Sequence, residues 1–204
     1  TGVVDERWVL VALDGYDGVG WHSDARFGRV GTTLPDGPPL RGAVAEVTHT
    51  VTVLGPLGPP GPWVPVPTQT TGVRLEGGQR PLVADPARGG VALGDGDVSE
   101  GLTYEVTARI PRPTPDELTV AGLPADPSLR PLTALPPGGP VELDAATTEA
   151  MGGASSPFAQ LAAREAWFST EGFVVDAEAP TGSSYGILRR FVAVGEGTRQ
   201  GNDE

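Results

Sequence analysis

Few side chains in this sequence could carry chemistry. There is no cysteine, so a thiol nucleophile, disulfides and thiolate metal ligands are excluded within these 204 residues. The two histidines are His22, beside Trp21 in a turn-rich stretch, and His49, on the apolar face of a predicted strand. Neither has a histidine or carboxylate cluster at metal-ligand spacing. We therefore interpret His49 as a half-buried core side chain and His22 as a loop residue.

Carboxylates and glycines give two further patterns. Asp95 and Asp97, in the run GDGD, have the spacing that opens a calcium loop, but the remaining ligand positions and the terminal glutamate are absent. The glycines of DGYDGVG fit no phosphate-binding motif followed by a helix. Both stretches are predicted to be solvated turns, and the sequence predicts neither a metal site nor a cofactor.

Three aromatic residues lie in turn-rich segments and could form a binding surface. Tyr16, Trp21 and Trp63 are rings of the kind that stack on a sugar. Packing within a core or a turn is the commoner use of such rings, and the sequence leaves both interpretations open.

Composition excludes some classes of partner. All of the 14 basic residues are arginine, against 26 acidic residues, for a formal net charge of -12. This charge opposes binding to nucleic acids or anionic lipid surfaces and favours solubility. The arginine bias is typical of a GC-rich, actinobacterial-type genome. Because the chain starts with Thr1 and has no signal peptide or 18-residue apolar run, we expect a soluble piece of a longer protein.

Alternation predicts a β-rich region in the first half of the chain. Residues 43–54 and 103–110 alternate apolar and polar side chains, which indicates half-buried strands. Residues 7–13 form a shorter apolar run. The apolar pieces between the two alternating segments are broken by proline and glycine, as edge strands and loop-crossing segments are. Six to eight short strands through about residue 112 predict an antiparallel sandwich or a partly open barrel.

Helical signals follow this region. Thr114, Pro115 and Glu117 form a capping-box pattern with a proline start. Helices are predicted from residue 141, from Ser156 and from about residue 183, with a short strand at residues 173–177. We expect an α+β, mainly β fold. Its predicted parts are a β-rich domain (1–112), a short helix with a Pro-rich connector (113–140), and a helical segment (141–204).

Three stretches carry a family resemblance. WVLVALDGYDGVGW, with Tyr16, Asp17, Gly18 and Trp21, resembles the opening of the extracytoplasmic region of bacterial transglutaminase-like membrane proteins, of the papain-like superfamily. TYEVTARIPRPTPDELTVAGLPAD is similar to that family's Tyr-x-Val strand and Pro-Thr-x-x-x-Leu helix. Residues 155–204 resemble the lead-in to the catalytic core. The resemblance implies that the helical segment begins a transglutaminase-like core.

The resemblance also places a residue at the family's nucleophile. It aligns Gly-Asn-Asp-Glu at residues 201–204 with Gly-Tyr-Cys-Glu, which puts Asp203 where active members have the catalytic cysteine. A carboxylate attacks an amide far less readily than a thiolate does. An N-cap role for Asn202 or Asp203 is compatible with this alignment.

These inferences lead to one main hypothesis and two alternatives. The resemblance implies a non-catalytic scaffold or binding region from a membrane-anchored cell-envelope protein, on the extracytoplasmic face, whose parent lacks the cysteine nucleophile. Cell-wall peptides or envelope proteins are the expected partners. The alternatives are part of an active cell-wall peptidase, amidase or acyltransferase, and an independent adhesion or carbohydrate-binding β-sandwich.

Overall fold

The chain divides into two compact units. The first unit is Thr1–Leu13 with Ser23–Pro113, and the second is Asp14–His22 with Thr114–Glu204. The predicted β-rich domain of residues 1–112 had included the segment at Asp14–His22. The computed structural model describes residues 7–37, 39–55, 61–78, 80–85, 89–124, 126–170 and 181–193.

Ten short strands are present among the described residues, and every pairing between them is antiparallel. Their order in the chain is β1 Trp8–Val9, β2 Gly15–Tyr16, β3 Trp21–His22, β4 Gly28–Val30, β5 Val44–Thr52, β6 Val66–Pro67, β7 Thr70–Leu75, β8 Leu82–Asp85, β9 Gly90–Leu93 and β10 Thr103–Pro111.

The two strands predicted from alternation are the longest and are confirmed. β5 and β10 each span nine residues and pair along their whole length, with β10 in the centre of the sheet β5-β10-β7. Tyr104, Val106 and Ala108 are fully buried on one face of β10. On the other face, the Thr48 and Thr107 hydroxyls lie 3.2 Å apart. The period of two therefore separates a core face from a solvated face.

A single segment joins the two three-stranded sheets of the first unit. Within β4, Val30 pairs with Leu82 of β8, in the sheet β4-β8-β9. A few residues later the same segment pairs with β7, because Leu34 N donates to Thr71 O at 2.8 Å and Val73 N donates to Thr32 O at 2.9 Å. Residues 28–34 thus form a switching segment that belongs to both sheets. The result is an open arrangement of antiparallel strands, with no closed barrel among the residues described.

The proline- and glycine-broken pieces form much of the core. β7 and β9 lie at the ends of their three-stranded sheets, as predicted for edge strands, whereas the central position of β8 corrects that prediction for residues 82–85. All four residues of β9 are buried. β9 also pairs on its second side with residues 62–64, where Val64 N donates to Val91 O at 2.9 Å. A strand covered on both faces needs no alternation, so its sequence lacks the signal. The apolar run at residues 7–13 forms only the two strand residues of β1.

The second unit combines a hairpin with short helices. Its hairpin pairs β2 with β3. The capping box is confirmed: Thr114 Oγ1 accepts from Glu117 N at 3.2 Å, and Glu117 Oε2 accepts from Thr114 N at 2.7 Å. The predicted connector contains a 3-10 helix, and the strand predicted at residues 173–177 lies outside the described residues. The helical elements are α1 Pro115–Thr119, the 3-10 helix Pro127–Thr133, α2 Val141–Met151, α3 Pro157–Thr170 and α4 Tyr185–Ala193.

The helices bury their apolar faces unequally. On α4, Tyr185, Leu188 and Val192 are half-buried, as their register predicted. On α3, the predicted apolar face is largely exposed, and Leu161 is 58% exposed. The ring of Trp167 is the half-buried one, so α3 packs through a neighbouring face. None of the helices in the described part of the chain is long and apolar enough to span a bilayer.

Candidate functional site

The residue that the resemblance placed at the nucleophile, Asp203, lies outside the described residues. Its role as a degenerate active-site position therefore stays a prediction. The other candidate residues from the sequence, Tyr16, Trp21 and Trp63, are all described.

Tyr16 and Trp21 form one aromatic cluster in the second unit. Their rings are 4.9 Å apart between centroids, across the β2–β3 pair, and Tyr16 meets Tyr185 of α4 edge-on at 5.4 Å. The Tyr16 hydroxyl donates to Ser183 O at 2.6 Å. Partial burial, followed by the nearby Tyr185 and Asp17, raises the pKa of Tyr16. Tyr16 thus fixes the hairpin to the start of α4, while Trp21 remains 51% exposed.

Asp17 organises the turn of this hairpin. Its Oδ1 accepts hydrogen bonds from Gly20 N at 2.7 Å and Val19 N at 2.8 Å. These two amides hold the pKa of Asp17 below its ordinary value. Gly18 has a φ of +90°, and its carbonyl accepts from Tyr185 N at 2.9 Å. The YDG motif therefore serves as a turn that also bonds to a helix start, with no bound group required.

Lowering the pH is expected to loosen this turn. Because the pKa of Asp17 is depressed in the folded chain, its contribution to stability is present above its unfolded value of about 3.9 and is lost as the pH falls through the folded pKa. We expect the amide resonances of Val19 and Gly20 to titrate with a midpoint below about 3.9. In Asp17→Asn, which keeps an accepting oxygen, this titration should disappear. A midpoint above the ordinary value in an NMR pH titration would contradict this assignment.

Trp63 lies in the first unit, whereas Tyr16 and Trp21 belong to the second. Its ring is 5.4 Å from Phe27, and its backbone forms a bridge with Ala92 of β9. Trp63 is half-buried. In this position it packs beside the core strands of the first unit.

The two histidines and the GDGD turn make packing, strand or ion-pair contacts within the fold. His49 is half-buried, as predicted, with its ring 5.7 Å from that of Trp8. His22 lies in β3 rather than in a loop, and its imidazole occupies the space that a Cβ on Gly15 would need. Asp95 is paired with Arg80 at 2.9 Å. The described residues contain no cluster of three or more groups that could hold a metal ion.

A cleft of about 480 Å³, lined by both polar and apolar residues, lies in the first unit. Its volume is in the range of small-molecule sites. The polar groups that line it come from the loop before β5, the β6–β7 turn, the start of β7, the end of β8 and β10. They are Asp36, Thr68, Gln69, Thr70, Thr71, Asp85 and Arg109.

Asp85 is the buried carboxylate of this cleft, only 3% exposed at the end of β8. Its Oδ2 accepts from Arg26 N at 2.8 Å, which connects the segment before β4 to β8. Its carbonyl accepts from Gly89 N at 2.8 Å. No motif in the sequence marks Asp85 as a candidate site residue. The available signal was a carboxylate that directly follows the apolar residues of a strand.

The backbone around Gln69 shapes another wall of the cleft. Gln69 has a φ of +60°, the left-handed region that non-glycine residues rarely adopt. Its carbonyl accepts from Arg109 N at 3.1 Å, beside a shift in register between Thr107 and Ala108 of β10. Such irregularities in a sheet re-aim side chains, and they place Arg109 in the lining.

The lining groups suit binding better than covalent chemistry. Carboxylates, threonine hydroxyls, an amide and a guanidinium can hydrogen-bond a polar ligand and fix its orientation. A nucleophile of the thiol type is excluded because the sequence has no cysteine. Thr70 Oγ1 already donates to Pro67 O at 2.6 Å, so this hydroxyl is held by the turn. None of the cleft residues described is a histidine that could activate it.

The first unit is thus a mainly β, antiparallel module with a cleft of mixed lining, followed along the chain by short helices. Residues 3–115, more than half of the chain, match the family described as the TgpA N-terminal domain, and the chain belongs to that family. TgpA is a transglutaminase-like protein, which confirms the resemblance found in the sequence. Neither a curated protein nor a solved structure matches the chain.

Proposed function

We propose that this chain is a non-catalytic part of a cell-envelope transglutaminase-like protein, in which the β-rich unit serves as a scaffold or binding region. The observation that carries the proposal is the match of residues 3–115 to the N-terminal domain of a transglutaminase-like protein. The cleft that has Asp85 and Arg109 in its lining supports a binding role. The parent is membrane-anchored, on the extracytoplasmic face, and its partners are cell-wall peptides or envelope proteins.

The catalytic part of the proposal concerns Asp203. The sequence alignment with Gly-Tyr-Cys-Glu puts this carboxylate at the nucleophile position, and no cysteine precedes it in the chain. Acyl transfer in this class of protein needs a thiolate activated by an imidazole. The parent protein is therefore a pseudoenzyme.

The test uses the full-length parent and two variants, Asp203→Ala and Asp203→Cys, assayed for amide hydrolysis and amine transfer. We expect the unmutated protein and Asp203→Ala to be equally inactive, because the carboxylate does no chemistry. The resemblance implies that active members complete a papain-like triad with a histidine and an aspartate downstream of the cysteine. Restored turnover in Asp203→Cys would show that the parent retains these two residues.

Activity in the unmutated parent is the outcome that would contradict this proposal. Removing a working nucleophile lowers kcat by about 10⁴-fold or more. Turnover in the unmutated parent that is lost to this extent in Asp203→Ala would overturn the pseudoenzyme proposal. It would instead support the alternative of an active peptidase, amidase or acyltransferase.

A carbohydrate-binding role is the second candidate, and the exposure of Trp21 favours it. Tyr16 is less accessible to a ligand than Trp21, because its hydroxyl donates to Ser183 O and its ring contacts Tyr185. Trp63 lies in the other unit. The scaffold or binding role within a transglutaminase-like protein therefore remains our first proposal.

A further inference from the structure

A second concavity of the first unit opens where the switching segment leaves β8 and joins β7. This groove, of about 890 Å³, lies between β4, β7 and the start of β8. Its apolar lining includes Val73 and Leu82, which are 1% and 5% exposed, together with Val30 and Leu75. These side chains belong to the hydrophobic core or pack against it. The groove therefore has a firm apolar floor.

Three arginines line the same groove: Arg29, Arg74 and Arg80. Arg74 Nη2 is 2.9 Å from Glu105 Oε1, and Arg80 Nη2 is 2.9 Å from Asp95 Oδ1. A guanidinium has five N–H donors, so each of these two arginines keeps further N–H groups that can donate to a ligand. Neither of the two carboxylates lines the groove.

Arg29 differs from the other two arginines. It is exposed on β4, and no ion pair joins it to another of the described residues. Three guanidinium groups against two carboxylates leave an excess of positive charge at this groove. The chain as a whole has a net charge of -12, whereas every charged residue in the lining of the groove is an arginine.

We propose that the groove binds a carboxylate carried on an apolar group, such as the free C-terminal end of a short peptide. The planar fork of an arginine matches a carboxylate in geometry as well as in charge. The half-buried apolar side chains of the lining, Val30 and Leu75, would contact the adjoining side chain of the ligand. This inference goes beyond the proposed function, because it names a ligand class for the first unit and does not depend on Asp203.

The experiment is an NMR titration of the whole ¹⁵N-labelled chain with N-acetyl-alanyl-alanine as the free acid. The matched ligand is its C-terminal amide, which lacks the charge, and inorganic phosphate is the anion without an apolar part. We expect the acid alone to shift the amides of Gly31, Thr32, Val73 and Leu75, with saturation below about 10 mM.

Substitutions at Arg29 test whether its guanidinium binds the carboxylate of the ligand. Arg29→Gln should weaken binding of the acid by about 10-fold, the loss expected for one charge-assisted hydrogen-bonding partner. Arg29→Lys, which keeps the charge without the fork, should weaken it less. Arg41→Gln removes an exposed arginine of the same unit that does not line the groove, and it should leave the affinity unchanged.

Four results would overturn the proposal. These are an absence of shifts up to about 10 mM acid, equal binding of the amide, equal binding of phosphate at the same amides, or an unchanged affinity in a folded Arg29→Gln variant. None of these bears on the activity of Asp203 variants, so the groove and the pseudoenzyme proposal can fail separately.

Discussion

Replacing Tyr104 by alanine is expected to lower the free energy of unfolding of the first unit by about 3–5 kcal/mol, the usual cost of truncating a buried aromatic ring. Tyr104 is fully buried in β10, the central strand of its sheet, and lies in one core cluster with Val64 and Val106. Its hydroxyl donates to Pro65 O at 2.5 Å. The alanine variant would therefore leave a cavity and deprive a carbonyl of its donor.

Tyr104→Phe separates these two effects, because it keeps the ring and removes only the hydroxyl. We expect it to cost about 1–3 kcal/mol, from the carbonyl left without its partner. Leu54→Ala is the surface control: Leu54 is 85% exposed, so the change should stay within about 0.5 kcal/mol. Urea denaturation measures all three. A Tyr104→Ala variant no less stable than Tyr104→Phe would contradict the assignment of the ring to the core.

The raised pKa of Tyr104 predicts that the chain loses stability at alkaline pH. Burial raises the pKa of Tyr104 above its ordinary value of 10.0. Its contribution is fully present below the unfolded pKa of about 10 and is lost as the pH rises toward the folded value, because only the unfolded chain can then ionise. Unfolding midpoints measured between about pH 9 and 11.5 should fall less in Tyr104→Phe than in the unmutated chain.

The second large effect is expected at Asp85. Asp85→Ala should lower the free energy of unfolding by about 2–3 kcal/mol, because hydrogen bonds to a charged group contribute about 1.5–3 kcal/mol and the partner amide is left without its acceptor. The bond concerned is the one from Arg26 N to Asp85 Oδ2 at 2.8 Å, at a carboxylate only 3% exposed. The amide exchange of Arg26 should accelerate along with the global loss.

Two variants control for charge and for position. Asp85→Asn keeps an accepting oxygen and should cost less than Asp85→Ala. Asp97→Asn changes an exposed carboxylate of the same unit and should stay within about 0.5 kcal/mol. The changes in the free energy of unfolding are measured by thermal or urea unfolding. If Asp85→Ala lost no more stability than Asp97→Asn, the buried carboxylate would have no structural role.

The sequence predicted those parts of the fold in which local pattern and tertiary environment agree. β5 and β10 alternate because one face is buried and the other is solvated, so a period of two identifies them without tertiary information. The capping box at Thr114 and Glu117 is likewise local, since both of its hydrogen bonds lie within four residues. The family resemblance rested on such local stretches and was confirmed.

Other features depend on contacts that a local pattern does not contain. All four residues of β9 are buried, so both faces of the strand are apolar and its sequence lacks the alternation of a half-buried strand. The cleft assembles Asp85, Gln69 and Arg109 from three separate strands or turns. Their proximity follows from sheet register, so no spacing in the sequence could have indicated it.

The hairpin β2–β3 makes both units discontinuous in sequence. The polypeptide enters the second unit at Asp14, leaves it after His22 and returns at Thr114. The stretch that matches the family, residues 3–115, contains the hairpin but not Ser183 or Tyr185, to which the hairpin bonds. The boundaries of the family match, residues 3–115, therefore do not coincide with those of either unit. A protein engineer who cuts after residue 113 separates a hairpin from its anchor, whereas keeping both units on one polypeptide preserves it.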